Sequence, residues 1–161
     1  MGPDRFAHAR ALALIVPAAL LAGAYGFQYL GHLYPCEMCW WQRYPHFAAV
    51  VLALAAFVVP TRAGRLLVAC AALAIFVSGA IGVYHAGVEY HWWEGITACS
   101  STMAGHGGSV DDMLARIMKA PVVRCDVPQW TLFGISLAGF NALISIPAAL
   151  VIFALLPKGQ R

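Results

Sequence analysis

At 161 residues, with 61% hydrophobic side chains, 11% charged ones and a mean hydropathy of +0.74, this chain lies far from the roughly 25% charged residues of a soluble domain. Composition excludes a soluble globular domain and predicts an all-α membrane protein, a four-transmembrane-helix bundle. The net charge of +3 is divided between the two sides of that bundle and implies no nucleic-acid partner.

The first apolar stretch runs from Ala11 to about Leu33, after Arg5 and Arg10. It is too long for a secretory leader and ends in aromatics rather than a small-residue cleavage site, so it reads as a span. A short loop, about residues 34–43, follows and carries PCEMCWWQRYPH over residues 35–46. The second stretch, 44–59, reaches the ~17 to 25 residues of a crossing only if Trp40 to Tyr44 form its outer turn. PTRAGR, residues 60–65, makes a tight turn into the third stretch, 66–86. A long loop, about 87–129, precedes the fourth, 130–156.

The long loop holds one helical pattern. Ser109 can cap it, with Asp112 in the capping-box position and Asp111 in the first turn. Val110, Met113, Leu114, Ile117 and Met118 give it one apolar face, Arg116 and Lys119 a polar one, and Pro121 ends it. Such a helix would lie along a membrane surface. Ahead of it, glycine-rich SSTMAGHGGS predicts a tether for Cys99, suited to meeting an external partner.

Basic residues orient the bundle. Arg5, Arg10, Arg62, Arg65, Lys158 and Arg161 flank one side of the four spans, with Asp4 as the single acid there. That side, with both termini, is expected to be cytoplasmic. The other six acids and all five tryptophans, Trp40, Trp41, Trp92, Trp93 and Trp130, fall to the opposite face, where amphipathic rings suit a headgroup layer.

Of five cysteines, Cys36, Cys39, Cys99 and Cys125 lie in the two outer loops, and Cys70 lies inside the third stretch. Cys70 is expected to be a small buried hydrophobe. Four outer cysteines permit three pairings between which sequence does not choose; the simplest is Cys36 with Cys39 and Cys99 with Cys125. If the outer compartment is oxidising, such disulfides persist.

A C-x-x-C motif serves as a redox dithiol, half of a zinc site or, with a following His, a haem attachment. Trp40 occupies the position haem attachment gives to His. Zinc would need Cys99 and Cys125 to complete a four-cysteine site without a second C-x-x-C. Stapled loops of a non-enzymatic scaffold, or a zinc-binding module, therefore remain as alternatives to redox chemistry. Three features favour redox. Pro35 and the pattern after it place Cys36 and Cys39 at a helix N-terminus, where unsatisfied N–H groups stabilise a thiolate. Arg43, four residues after Cys39, shares its helical face one turn deeper, where a cation in hydrocarbon costs ~2.5 to 3.5 kcal/mol at mid-depth unless compensated or snorkelling to the headgroups. Finally, a dithiol that must be reoxidised needs an electron acceptor, and the chain carries no G-x-G-x-x-G fingerprint. A lipid-dissolved quinone would need none, and Arg43 could stabilise both the Cys39 thiolate and charge developing on a quinone oxygen.

Four spans, an outer PCxxC followed by x-x-x-R, and a second cysteine pair in a long outer loop resemble the disulfide bond formation protein B family, DsbB, of bacterial inner-membrane quinone reductases. The resemblance implies a quinone-dependent protein-disulfide oxidoreductase with both cysteine loops periplasmic and no metal. It implies attack by a reduced thioredoxin-like periplasmic oxidase of the DsbA type on Cys99, exchange of Cys125 with Cys36, and release of Cys39 beside ubiquinone or menaquinone, with Arg43 as the quinone-site arginine. The stretch GVYHAGVEYHWW carries His85, Glu89 and His91, of which His85 is a further candidate for a quinone hydrogen bond; His46 is a weaker one.

Overall fold

The computed structural model describes residues 3–97, 109, 111 and 123–156. Four helices dominate it: α1 (Pro3–Tyr29), α2 (Glu37–Ala55), α3 (Thr61–Glu89) and α4 (Leu137–Leu155). Of these, α1 from Asp4, α3 and α4 are long and apolar enough to cross a membrane. The expected helix from Ser109 to Pro121, and Cys99 with its tether, lie outside the described residues.

Helix α2 does not reach that apolar standard, and its buried face explains why. Met38, Gln42, Arg43, His46, Ala49 and Ala53 are its buried residues, an i, i+4, i+8 stripe that turns three strongly polar side chains into the bundle rather than away from it. The sequence places its apolar stretch at 44–59; the helix instead begins at Glu37 and ends at Ala55. Cys36 supplies the reason for the early start, since as N-cap its sulfur accepts the Cys39 N–H at 3.3 Å.

Other bounds shift for local reasons. Helix α1 stops at Tyr29, ahead of Leu33, because the N–H groups of Leu30 and Gly31 both turn back to the Gly26 carbonyl and His32 adopts φ 55°, a left-handed exit. Arg62 and Arg65 sit in the first turns of α3, not in a free turn, because Pro60 caps that helix with φ already near the helical value. The stretch expected to form one span from Trp130 is divided. Thr131–Leu132 (β1) and Ile135–Ser136 (β2) pair antiparallel across Phe133 at φ 51° and Gly134 at φ 77°, the two-residue turn with both central φ positive that suits a tight hairpin. Ser136 then caps α4 by accepting the Gly139 N–H at 3.1 Å.

Helix α3 packs against both α2 and α4. Close approach to α4 requires small residues: a Cβ on Gly79 would lie 2.7 Å from Ile146 Cγ1, and one on Gly82 2.9 Å from the Ala138 carbonyl oxygen. Around one end of the bundle Ala9, Ala13, Ala49, Ala53, Ala71 and Ala149 join Val68, Ile75 and Ile152 in the main core, the small-residue packing of helices that cannot rely on a hydrophobic drive. Large apolar side chains such as Val51, Leu66, Leu73 and Leu150 are exposed on the outside. Internal prolines at Pro17, Pro45 and Pro147 also suit a bundle whose neighbours satisfy freed carbonyls. Cys70 points outward and is exposed, correcting its expected burial: it lies off the inward face of α3 marked by Val68, Ala71, Ala72 and Ile75.

The C-terminal ends of α1 and α3 and the N-terminal ends of α2 and α4 meet at the opposite end. Phe27 packs on Trp130 with ring centres 4.9 Å apart, and the Tyr90 hydroxyl donates to the Gly134 carbonyl at 2.8 Å while accepting the Ser136 N–H at 2.8 Å, clamping the hairpin to α3.

Candidate redox site at the start of α2

Cys36 and Cys39 are free thiols at the N-terminus of α2. The Cys36 S–H donates to Cys39 Sγ at 3.0 Å. That hydrogen bond makes Cys39 the acceptor of the pair. Cys39 lies one turn outside the apolar stretch that opens at Tyr44, with the exposed N–H end of α2 beside it, so a thiolate is favoured there over Cys36.

From this pair the two sides of α2 diverge. On one side a cavity of about 390 Å³ opens between α1, α2 and α4. Leu20, Ala24, Phe27, Trp130, Phe140 and Ile144 give it apolar walls, and Cys39, Gln42, Arg43, His46 and Asn141 a polar one. Arg43 is buried. It donates to Gln28 Oε1 at 2.6 Å and to the Ala24 carbonyl at 3.3 Å, between the faces of Tyr25 and Trp40 at 5.0 and 5.1 Å. Among the described residues no carboxylate forms an ion pair with it. A buried guanidinium with neutral partners, lining a cavity, presents uncompensated positive charge to whatever enters.

On the other side stands His85, which does not line the cavity. Its Nε2 lies 3.6 Å from Cys36 Sγ and 3.8 Å from Glu89 Oε1, and its Nδ1 accepts from Gln42 Nε2 at 2.8 Å. Cys125, wholly buried, packs with Cys36, Met38 and Val88. It is disulfide-bonded, and the Thr97 hydroxyl donates to its sulfur at 3.6 Å. The adjoining Arg124 guanidinium holds the Asp126 carboxyl below the ordinary carboxylate range and so fixes the chain either side of Cys125. Cys99, the remaining candidate cysteine, lies outside the described residues. Among the described residues the sulfurs of Cys36 and Cys39 and a His85 nitrogen lie within 4.8 Å of one another.

Several residues of this site are absent from the sequence reading. Asn141 donates to Gln42 Oε1 at 2.8 Å and to the Ser78 carbonyl at 3.1 Å, while its Oδ1 accepts from Ser145 at 2.8 Å and faces His46 Nε2 at 3.0 Å. Ser78 donates to the Gln42 carbonyl at 2.7 Å. The signal was available: Gln28 and Asn141 are lone amides inside apolar stretches, where a polar side chain is costly and turns inward.

The family model "Disulfide bond formation protein DsbB" matches residues 6–155 of the chain. A protein of Marinobacter nauticus (strain ATCC 700491 / DSM 11845 / VT8) named disulfide bond formation protein B is 28% identical, covering 91% of this chain and 90% of its own length. An uncharacterized protein of Rickettsia prowazekii (strain Madrid E) is 24% identical over 89% of this chain and 83% of its own. No solved structure matches the chain significantly.

Proposed function

The chain belongs to the disulfide bond formation protein DsbB family, and from that premise we propose that it reoxidises a periplasmic thioredoxin-like oxidase of the DsbA type and delivers the electrons to a membrane quinone. Here α2 serves as a fourth span with its polar stripe turned inward, both termini are cytoplasmic, and the cysteine loops face the periplasm of a bacterial inner membrane. The observation that carries the reading is the division at the start of α2: Cys39 shares a cavity wall with Arg43, whereas Cys36 faces Cys125.

The cycle starts with Cys36–Cys39 and Cys99–Cys125 both as disulfides. A reduced partner attacks Cys99, forming a mixed disulfide and releasing Cys125 as a thiolate that the Thr97 hydroxyl stabilises by its hydrogen bond. Cys125 attacks Cys36, breaking the Cys36–Cys39 bond, and the electron pair leaves on Cys39. There the helix N-terminus and Arg43 hold the charge at the cavity. Cavity volume, apolar walls and a polar wall of Arg43, Gln42, His46 and Asn141 fit a planar ring with polar oxygens. Ubiquinone or menaquinone, when bound, supplies a two-electron acceptor. The second thiol of the partner resolves its mixed disulfide and releases Cys99, which attacks Cys125 of the Cys36–Cys125 bond; Cys99–Cys125 re-forms, Cys36 is freed as a thiol, and loss of two electrons from Cys36 and Cys39 to the acceptor restores their disulfide, so one dithiol is oxidised for each electron pair passed on.

The test is turnover. Purified protein given a reduced thioredoxin-like partner is expected to reduce a ubiquinone analogue, and Cys125→Ser to trap the partner as a mixed disulfide on Cys99. Retained quinone-linked turnover in Cys39→Ser, or no trapped species in Cys125→Ser, would overturn the proposal.

A further inference from the structure

Turning an amide over exchanges donor for acceptor, so its orientation follows from neighbours that cannot change role. Two backbone carbonyls fix the amides here. The Met38 oxygen lies 3.2 Å from Gln42 Nε2, and the Ser78 oxygen 3.1 Å from Asn141 Nδ2; each can only accept. With both amino groups assigned, Asn141 Nδ2 donates to Gln42 Oε1, and Gln42 Nε2 spends its second hydrogen on His85 Nδ1 at 2.8 Å. A ring nitrogen that accepts carries no proton, so neutral His85 is protonated at Nε2. That N–H faces Cys36 Sγ. The ring also has a backbone hydrogen bond with Cys125. Reversing Gln42 would set its oxygen against the Met38 carbonyl and its amino group against that of Asn141.

We propose that Gln42 is a positioning residue that locks His85 in the Nε2–H tautomer, keeping a donor on Cys36 and closing the Cys36–Cys39–His85 cluster to soft divalent metals. Two thiols and an imidazole within 4.8 Å are the donor set of a zinc site. A metal needs the lone pair on Nε2, and a ligating histidine holds that tautomer by donating its other N–H to an acceptor. Gln42 presents a donor in that place. Thiols that must alternate with a disulfide are thereby kept from an ion that would hold them as bound thiolates. The benefit to exchange at Cys36 rests on the function proposed above; the tautomer does not.

The experiment uses the full chain in detergent micelles with ¹⁵N-labelled histidine, the His85 signals being assigned by their loss in His85→Gln. Wild type is expected to show His85 bare at Nδ1 and protonated at Nε2, and Gln42→Glu the reverse, its carboxylate accepting from Nδ1–H. Titration of the reduced protein with Co²⁺ is expected to give thiolate-to-cobalt absorption in Gln42→Glu at an affinity roughly 10- to 100-fold above wild type, lost again on adding Cys36→Ser. Gln42→Met removes the donor without adding charge and is expected to gain affinity in the same direction by less. A wild-type His85 protonated at Nδ1, cobalt bound by wild type as tightly as by the variants, or a gain confined to Gln42→Glu, which would be the added charge alone, each overturns the proposal. Should Gln42→Glu fail to fold, the wild-type spectrum and Gln42→Met still decide it. No readout needs quinone or partner, so failure here and failure of the proposed function are separable.

Discussion

Where α1 begins and α2 ends, alanines at positions 9, 13, 49, 53, 56, 71, 72 and 149 bring the helices together around Val68, Ile75 and Ile152, with Arg10 donating to the Ala56 carbonyl at the margin. Where α1 ends and α2 begins, the same four helices bury Gln42, Arg43, His46, Ser78, His85, Glu89 and Ser145. Hydrogen bonds between membrane helices contribute on average only about 0.6 kcal/mol each, while an intramembrane charge costs several times that. The polar half therefore does not exist for stability. Its amides and hydroxyls satisfy one another so that Arg43, Cys39 and His85 can be held at fixed positions, and the alanine half supplies the packing that tolerates this.

Substitutions in the two halves should accordingly separate chemistry from folding. The largest effect is expected for Cys39→Ser, which removes the sulfur on the cavity wall: quinone-linked turnover falls to background while helical content, read by circular dichroism, is unchanged. Arg43→Ala comes next. Losing charge-assisted hydrogen bonds worth roughly 1.5 to 3 kcal/mol should raise the apparent KM for a quinone analogue about tenfold or more, with mixed-disulfide formation at the outer loop intact; equal quinone dependence in variant and wild type would dissolve the distinction between the two ends. In the alanine half, Ala53→Leu overpacks a fully buried position and should cost about 1 to 3 kcal/mol of stability, seen as a lower midpoint of thermal unfolding in detergent, with turnover per folded molecule unchanged. Smallest is Thr97→Val, which deletes one hydrogen bond of about 1 kcal/mol to the Cys125 sulfur and should slow exchange through that cysteine a few-fold, leaving quinone KM alone.

Much of this was legible because membrane helices and C-x-x-C chemistry leave strong marks. Four apolar stretches and the positions of Cys36, Cys39 and Arg43 follow from hydropathy and spacing. What escaped was set by tertiary contact. Nothing local says that Phe133 will take a positive φ and divide the last apolar stretch, although Gly134 after it and Ser136 at a capping position were hints. His85 is a candidate for a quinone hydrogen bond by its place at the end of a span; that α3 packed on α2 sets it 3.6 Å from Cys36 Sγ and outside the cavity lining is visible only in the tertiary structure. The amide network was hidden for the same reason: Gln42 and Asn141 are 99 residues apart in sequence, and a lone amide shows that a partner exists without naming it. Cys70 reads as buried by composition, yet a bundle in lipid gives a small apolar residue no reason to turn inward.

The central claim is that the cavity between α1, α2 and α4, beside Cys39 and Arg43, receives the electron acceptor. A photoreactive quinone analogue cross-linked to the full-length protein and mapped by mass spectrometry tests it directly. Labelling on the cavity walls, within residues 20–27 of α1 or 138–144 of α4, and its loss on competition with unmodified quinone, is the expected result. Specific labelling on α3 around Cys70, with those walls unmodified, would contradict it.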